Sequence, residues 1–469
     1  MSYKTAASEN GFLETINPCT GEIIESWQEH TSSEIESIIS NAQLAFLNWK
    51  ETPLQKRASA LMRLAVLLES RKAELARLMA MEMGKPLSQG VSEVEKCAWV
   101  CRYYAENGAE FLKNEIVKTD ASLSYICYQP LGIIFAVMPW NFPFWQLFRF
   151  AAPAVMAGNA FILKHSPNVT GCALMINTLF KDAGFPSGLP GVLLISEKRV
   201  PEVSARVIAD YRIKAVTITG SVQAGRAVAE IAGSEVKKCV LELGGSDPAI
   251  ILEDADLLHA ARVSAFSRLI NAGQNCIASK RFIVVESVYN EFIKLLVKEM
   301  TSMRMGNPLD EETSLGPLAR YDLRDQLHHQ VIESIAKGAE VLVGGEIPEL
   351  QGAFYPSTVL CNCGYGMPVF DEETFGPVAA VCSVKDENEA VDVAGNSLFG
   401  LGASVFTRNP ARGERIAREL EAGACFVNAF VRSDPRLPFG GIGLSGFGRE
   451  LSRNGMLEFM NCKTIYIDN

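Results

Sequence analysis

Cys276 closes the stretch Leu269-Ile270-Asn271-Ala272-Gly273-Gln274-Asn275-Cys276, a Gly-Gln turn that opens into the strand-like run Lys280-Arg281-Phe282-Ile283-Val284-Val285. In a chain with twelve cysteines, any one of them is ordinarily a small buried hydrophobe. Upstream, however, Glu242 stands inside Leu241-Glu242-Leu243-Gly244-Gly245, an apolar run where a bare carboxylate is costly unless it has partners or a task. A thiol nucleophile and a candidate base are therefore available, and they need an oxyanion site and a cofactor.

Met138-Pro139-Trp140-Asn141-Phe142-Pro143-Phe144-Trp145 sets one amide, Asn141, among bulky neighbours and two prolines. Prolines fix the backbone, and a rigid amide N–H suits a developing oxyanion; the plainer alternative is a turn cap. Thr219-Gly220-Ser221-Val222-Gln223-Ala224-Gly225 lies where a strand gives way to a helix. Glycines such as Gly220 and Gly225 let a backbone approach a pyrophosphate at a helix N-terminus. The Gly-x-x-x-x-Gly spacing is not the dinucleotide fingerprint, and no lysine follows the second glycine, so cofactor loop and plain tight turn both stay open. Lys164 ends an earlier strand at the carboxyl edge of the same sheet, where ligands of open α/β folds bind; otherwise it is a surface lysine. Phe370-Asp371-Glu372-Glu373-Thr374-Phe375-Gly376-Pro377 and the stretch from Leu437 to Gly446 are glycine- and aromatic-rich loops of the kind that line pockets.

The five histidines form no cluster, and Cys361-Asn362-Cys363 is too tight for zinc spacing, so no metal site is expected. With so few histidines, an activated thiol must be served by a carboxylate, a dipole or a cofactor.

These residues need elements to position them. Thr31-Ser32-Ser33-Glu34 offers a capping box ahead of a helix faced by Ile35, Ile38, Ile39, Ala42, Phe46 and Trp49. Further helices are expected from Leu54 to Met83 and from about Val91 to Leu112, and this opening region carries no chemistry of its own in the sequence reading. Residues 121–129 alternate in polarity, and Pro130-Leu131-Gly132 turns them into a second strand, Ile133 to Val137. That ribbon and the C-terminal Lys463 to Ile467 have two readings, pairing with another subunit or a hairpin on their own domain. From Gly158 strands and helices alternate, ending in a strand at Ala215 to Thr219, and a second such run spans about Pro248 to Asn428; both predict parallel α/β sheets.

At 469 residues and 48% hydrophobic content the chain predicts two or three domains. A net charge of −10 argues against nucleic acid or an anionic membrane as partner. Met1 to Ala6 lack an apolar leader region, no segment has the apolar length of a membrane span, and the scattered cysteines form no disulfide framework, so a cytoplasmic protein is expected.

Taken together, Pro139-Trp140-Asn141-Phe142-Pro143, Thr219-Gly220-Ser221, Glu242-Leu243-Gly244-Gly245, Gly273-Gln274-Asn275-Cys276, Glu373-Thr374-Phe375-Gly376-Pro377 and Pro438-Phe439-Gly440-Gly441 make the chain resemble the NAD(P)-dependent aldehyde dehydrogenase superfamily over essentially its whole length. Lys164-His165-Ser166-Pro167-Asn168 is similar to the bacterial succinate-semialdehyde dehydrogenases of the shorter type. The resemblance implies an α/β fold of three parts: a Rossmann-type NAD(P)-binding domain (1–120 and 134–242), a catalytic α/β domain (243–450), and a small bridging oligomerisation sheet (121–133 and 451–469). It implies a homodimer or homotetramer.

By the same resemblance Cys276 would be the nucleophile, Asn141 would hold the oxyanion with the Cys276 backbone N–H, and Glu242 would activate the water that hydrolyses a thioester. Trp140, Lys164, Gly220, Ser221, Gly225, Glu373 and Phe375 would bind NAD or NADP, with Lys164 and Glu373 at the riboses and Ser221 at the pyrophosphate. Pro167 stands where NAD-selective relatives carry a glutamate, which admits NADP. Arg149 matches one of two arginines that hold the substrate carboxylate; the other is replaced by Ile270, with Arg268 or Arg432 as substitutes. Ala278 replaces a second, switch-forming cysteine, so no redox switch is expected. The implied reaction is oxidation of succinate semialdehyde to succinate. The alternatives are a broader aliphatic or aromatic aldehyde dehydrogenase, or a catalytically silent protein on this fold, against which Cys276, Glu242 and Asn141 speak.

Overall fold

The computed structural model describes residues 11–468, so Met1 to Ala6 lie outside the described residues. Ile133-Ile134-Phe135-Ala136 is buried without interruption, and such a strand needs cover on both faces. It forms β5 (Ile133–Met138), inside a six-stranded sheet ordered β19-β9-β8-β5-β6-β7. The other strands are β6 (Ala160–His165), β7 (Pro190–Leu193), β8 (Ile213–Thr219), β9 (Lys238–Glu242) and β19 (Gly446–Phe447). All neighbours are parallel except β19, which runs against β9.

Strand order creates the crevice. From β5 the chain steps outward to β6 and β7, then returns to set β8 on the other side of β5. The carboxyl ends of β5 and β8 thus meet at a topological switch point, where open α/β sheets bind ligands. Pro139-Trp140-Asn141 and Gly220-Ser221 leave the sheet there.

Helices α5 (Trp145–Ala157), α6 (Thr170–Asp182), α7 (Val200–Ala209) and α8 (Val222–Ser234) alternate with these strands. The capping box forms at α1 (Ser32–Trp49): the Thr31 hydroxyl accepts from the Glu34 N–H, and the Glu34 carboxylate accepts from the Thr31 N–H. The single helix expected from Leu54 to Met83 is two, α2 (Leu54–Ser70) and α3 (Lys72–Met83), because the backbone leaves helical geometry at Arg71. The next helix is α4 (Leu87–Phe111), which packs on α2, α3 and α5.

The second sheet is seven-stranded and ordered β12-β13-β14-β11-β10-β16-β17. Its strands are β10 (Pro248–Ile251), β11 (Arg281–Val285), β12 (Glu340–Val343), β13 (Thr358–Cys361), β14 (Val378–Val384), β16 (Gly402–Phe406) and β17 (Ala424–Val427), parallel except β12. Helix α9 (Leu257–Leu269) leads into the Cys276 loop, which feeds β11. Two antiparallel pairs, β1 (Phe12–Ile16) with β2 (Ile23–Gln28) and β15 (Phe399–Gly400) with β18 (Ile442–Gly443), lie outside both sheets.

A third sheet joins β20 (Met460–Ile467), β4 (Leu123–Pro130) and β3 (Glu115–Ile116), and β20 pairs with β4 along its whole length. The ribbon read from the sequence therefore divides. Its alternating first strand pairs with the C-terminus, whereas the continuous apolar run after Gly132 is too hydrophobic for a two-stranded ribbon and enters the first sheet. Residues 446–447, within the stretch 243–450, also join that sheet as β19.

Gly225 on α8 sits so close to Leu243 that a Cβ there would lie 2.5 Å from its side chain. Gly225→Ala is expected to destabilise the protein by about 1–3 kcal/mol through overpacking. A lowered thermal midpoint, partly recovered by adding Leu243→Ala, is the result that checks it.

Candidate active site

Between α9 and β11 the backbone takes three successive left-handed residues, Asn271 (φ 56°), Ala272 (φ 52°) and Gly273 (φ 74°). L-residues disfavour this region, so the turn needs outside support. Arg268, fully buried, donates to the carbonyls of Gly273 and Ser279. Lys280, also fully buried, donates to Cys276 O at 2.7 Å and to Asn275 O and Ala278 O at 3.3 Å. The Asn271 amide donates to Asn141 O (2.7 Å) and Gln274 O (3.2 Å), and Gln274 Oε1 accepts from the Ala319 N–H. This corrects the sequence reading of Arg268 as a substrate ligand: its guanidinium is fixed on loop carbonyls, away from solvent.

Asn141 is buried and its Nδ2 donates to Gln274 O at 3.1 Å, which brings the oxyanion candidate against the cysteine loop. Three groups fix its segment. Lys85 donates to Asn141 O (2.8 Å) and forms a buried ion pair with Glu93. Glu93 Oε1 accepts from the N–H groups of Phe144 (2.9 Å) and Trp145 (3.0 Å). His165 accepts from the Ser166 N–H at Nδ1, so its proton resides on Nε2, which donates to Pro143 O at 2.9 Å. Burial brings His165 down to about 4, keeping the ring neutral. The opening region, read from sequence as free of chemistry, thus supplies Lys85, between α3 and α4, and Glu93 on α4.

Glu242 ends β9 in a buried region within electrostatic range of Arg149 and Glu450; all three are 2% exposed. Arg149 pairs with Glu450, donates to Thr219 Oγ1 at 3.1 Å, and stacks 4.7 Å from the Phe439 ring centroid. Glu242 Oε1 has no hydrogen-bond partner. Burial holds its carboxyl well above the usual range, with Arg149 opposing and Glu450 reinforcing the shift. Cys276 is half-buried. Burial pushes its thiol up to about 12, against the pull of Arg149 and Lys280.

A cavity of about 240 Å³ opens over Cys276, with Trp140, Gly220, Ser221, Glu373 and Phe375 on its wall. Ser221 caps α8, its hydroxyl accepting from the Ala224 N–H. Trp140 and Phe375 meet edge to face with centroids 5.7 Å apart. Glu373 accepts from the Gly245 N–H and leaves no space for a Cβ at Gly244, which would lie 2.2 Å from its carboxylate. Lys164 and Gly225 do not line the cavity: Lys164 lies at the carboxyl end of β6, brought down to about 8 by burial, and Gly225 packs beneath Leu243. Arg432 is exposed, 5.9 Å from the Phe430 ring.

A cysteine on a rigid loop between two α/β sheets, with an amide, a buried glutamate and a cleft at a strand switch point, is the aldehyde dehydrogenase arrangement. The chain belongs to this family: the model of the aldehyde dehydrogenase family matches residues 4–465. It is 48% identical to a probable NADP(+) succinate-semialdehyde dehydrogenase of Synechocystis sp., over 97% of this chain and 99% of that protein. It is 46% identical to the Escherichia coli NAD(P)+ succinate semialdehyde dehydrogenase Sad, over 97% of each. Among solved structures, the succinic semialdehyde dehydrogenase of Streptococcus pyogenes in complex with NADP+ superposes with a TM-score of 0.94 at 38% identity, covering 97% of this chain and all of that one.

Sequence reading missed Lys85, Glu93 and Glu450 because nothing local marks a buried charge whose partner is distant in the chain. The elevated thiol gives a measurable outcome. In the free enzyme, alkylation of Cys276 by iodoacetamide, followed on its peptide by mass spectrometry, is expected to rise about tenfold per pH unit from 7 to 10 without a plateau. A plateau near pH 8 would show a thiolate already formed.

Proposed function

We propose that the protein oxidises a small acidic semialdehyde, succinate semialdehyde first, to the dicarboxylic acid with NADP or NAD. The observation that carries this reading is Glu242, a buried carboxyl with one unpartnered oxygen in the pocket of Arg149 and within electrostatic range of it. It is the base that a water needs to release a thioester as a free acid. The substrates named for the relatives support the choice of aldehyde.

The residues of the cleft fit a dinucleotide. The N-terminus of α8 and the Ser221 hydroxyl suit a pyrophosphate, Glu373 suits ribose hydroxyls, and Trp140 and Phe375 form an apolar wall; Lys164, at the carboxyl end of β6 outside that wall, is the proposed partner of the second ribose. Pro167 in place of a carboxylate leaves a 2′-phosphate unopposed there. In the reaction, Cys276 Sγ attacks the aldehyde carbon as its proton passes to the Glu242 carboxylate and on to solvent, and the Asn141 amide with the Cys276 backbone N–H receives the oxyanion. A bound nicotinamide supplies the two-electron oxidation that turns this adduct into a thioester. Glu242 then accepts a proton from the attacking water, and Cys276 leaves as the thiol.

The β4 and β20 sheet, with Leu123, Tyr466 and Ile467 exposed, supports assembly as a homodimer or homotetramer. All twelve cysteines are free thiols, which supports a cytoplasmic location. Among the described residues, no helix is long and apolar enough to cross a membrane.

The test is the initial rate of nicotinamide reduction with succinate semialdehyde and with butanal, using NADP and NAD in parallel. Succinate semialdehyde is expected to react with the higher kcat/KM, Cys276→Ala to abolish turnover, and Glu242→Gln to give a stoichiometric burst that stalls at the thioester. Equal or better use of butanal discards the acidic substrate and keeps the chemistry; undiminished turnover in Cys276→Ala removes the mechanism.

A further inference from the structure

Neither Arg268, locked under the cysteine loop, nor Arg432, exposed on Phe430, completes a carboxylate site with Arg149. Another cation lies within electrostatic range of Arg149. Lys96, half-buried on α4, donates to Ser433 Oγ at 2.7 Å and lies 4.2 Å from the Trp145 ring centroid. Trp145 opens α5, just after the Asn141 segment, and Arg149 follows one helical turn later. Arg149 therefore stands within electrostatic range of both Lys96 and Cys276.

The acids in range of Lys96 already have partners. Glu93 is paired with Lys85, and Asp434 with Arg436 at 2.7 Å. Among the described residues, no carboxylate lies within ion-pair distance of the Lys96 ammonium. Burial first, and Arg149 second, bring that ammonium down to about 8. A half-buried ammonium whose contacts are a hydroxyl and a π face, with no carboxylate in ion-pair reach, is short of an anion.

We infer that Lys96, aided by Ser433, binds the distal carboxylate of the semialdehyde and determines specificity for acidic aldehydes. The inference rests on the acidic substrate proposed above. In the bound state the carboxylate accepts from Nζ in place of Ser433, whose hydroxyl becomes free to donate to the second carboxylate oxygen.

The experiment measures kcat and KM separately for succinate semialdehyde and butanal in the wild-type holoenzyme, Lys96→Met and Lys96→Arg, with a thermal melt of each. Lys96→Met is expected to raise KM for succinate semialdehyde about tenfold to a hundredfold, the loss of one charged hydrogen bond, with kcat little changed. KM for butanal should not follow, and Lys96→Arg should restore most of the loss. An unchanged KM for succinate semialdehyde, or an equal loss with both aldehydes, overturns the role of Lys96. A wild-type enzyme that does not prefer succinate semialdehyde overturns the substrate reading itself, before any variant is compared.

Discussion

The active site depends on two fully buried cations that bind carbonyl groups instead of closing conventional ion pairs. Left-handed geometry at Asn271 and Ala272 costs about 1–2 kcal/mol each. A charged hydrogen bond returns about 1.5–3 kcal/mol, so Arg268 on Gly273 O and Lys280 on Cys276 O are enough to hold the turn. Gly273 also has no freedom to swell: a Cβ there would lie 2.2 Å from Gly376 O. The cysteine loop is therefore clamped, backbone against backbone, to the segment that carries Glu373 and Phe375. Nucleophile and cofactor wall form one rigid assembly before any substrate arrives, the preorganisation that catalysis needs.

The acids in the pocket follow a second constraint. Glu242 and Glu450 both lie within electrostatic range of Arg149, and both carboxyls are raised by burial. Arg149 makes its ion pair with Glu450, which leaves Glu242 the higher of the carboxyl group's costs and the weaker hold on its charge. That asymmetry places Glu450 in an ion pair and leaves Glu242, the base of the proposed reaction, without one. Gly440 preserves it sterically, since a Cβ there would stand 2.7 Å from Glu242 Oε1 and close the space a water must enter.

Much of this was legible in the sequence where chemistry is local. The Pro-Trp-Asn segment, the strand end at Thr219 and the Gly-Gln turn before Cys276 each sit at a strand or helix terminus that periodicity locates well, and the structure brings all three to one crevice. What was not legible is pairing across the chain. Ile133 to Val137 looked like the return arm of a hairpin because only its turn is local; its place in the first sheet depends on β6 and β8, which follow later. Arg268 looked like a free cation because the carbonyls it binds are defined only by the folded loop. Glu450 and Lys96 carry no motif, and the groups they meet, Arg149 for the first and Trp145 and Ser433 for the second, are distant in the chain.

Glu93 shows how the fold couples two functions without a shared side chain. Its carboxylate takes the first N–H groups of α5 and the ammonium of Lys85, and Lys85 in turn holds the carbonyl of Asn141. Removing one partner of a pair this buried costs about 3–5 kcal/mol, so the link is stiff. The Asn141 amide, the oxyanion donor of the proposed reaction, is therefore tied through Glu93 to the first turn of α5, the helix that carries Trp145 and Arg149. Lys96 is one turn along α4 from Glu93, on the same element but outside the clamp. The clamp through Glu93 thus fixes the Asn141 segment and does not constrain residue 96, the position proposed to set which aldehyde is preferred.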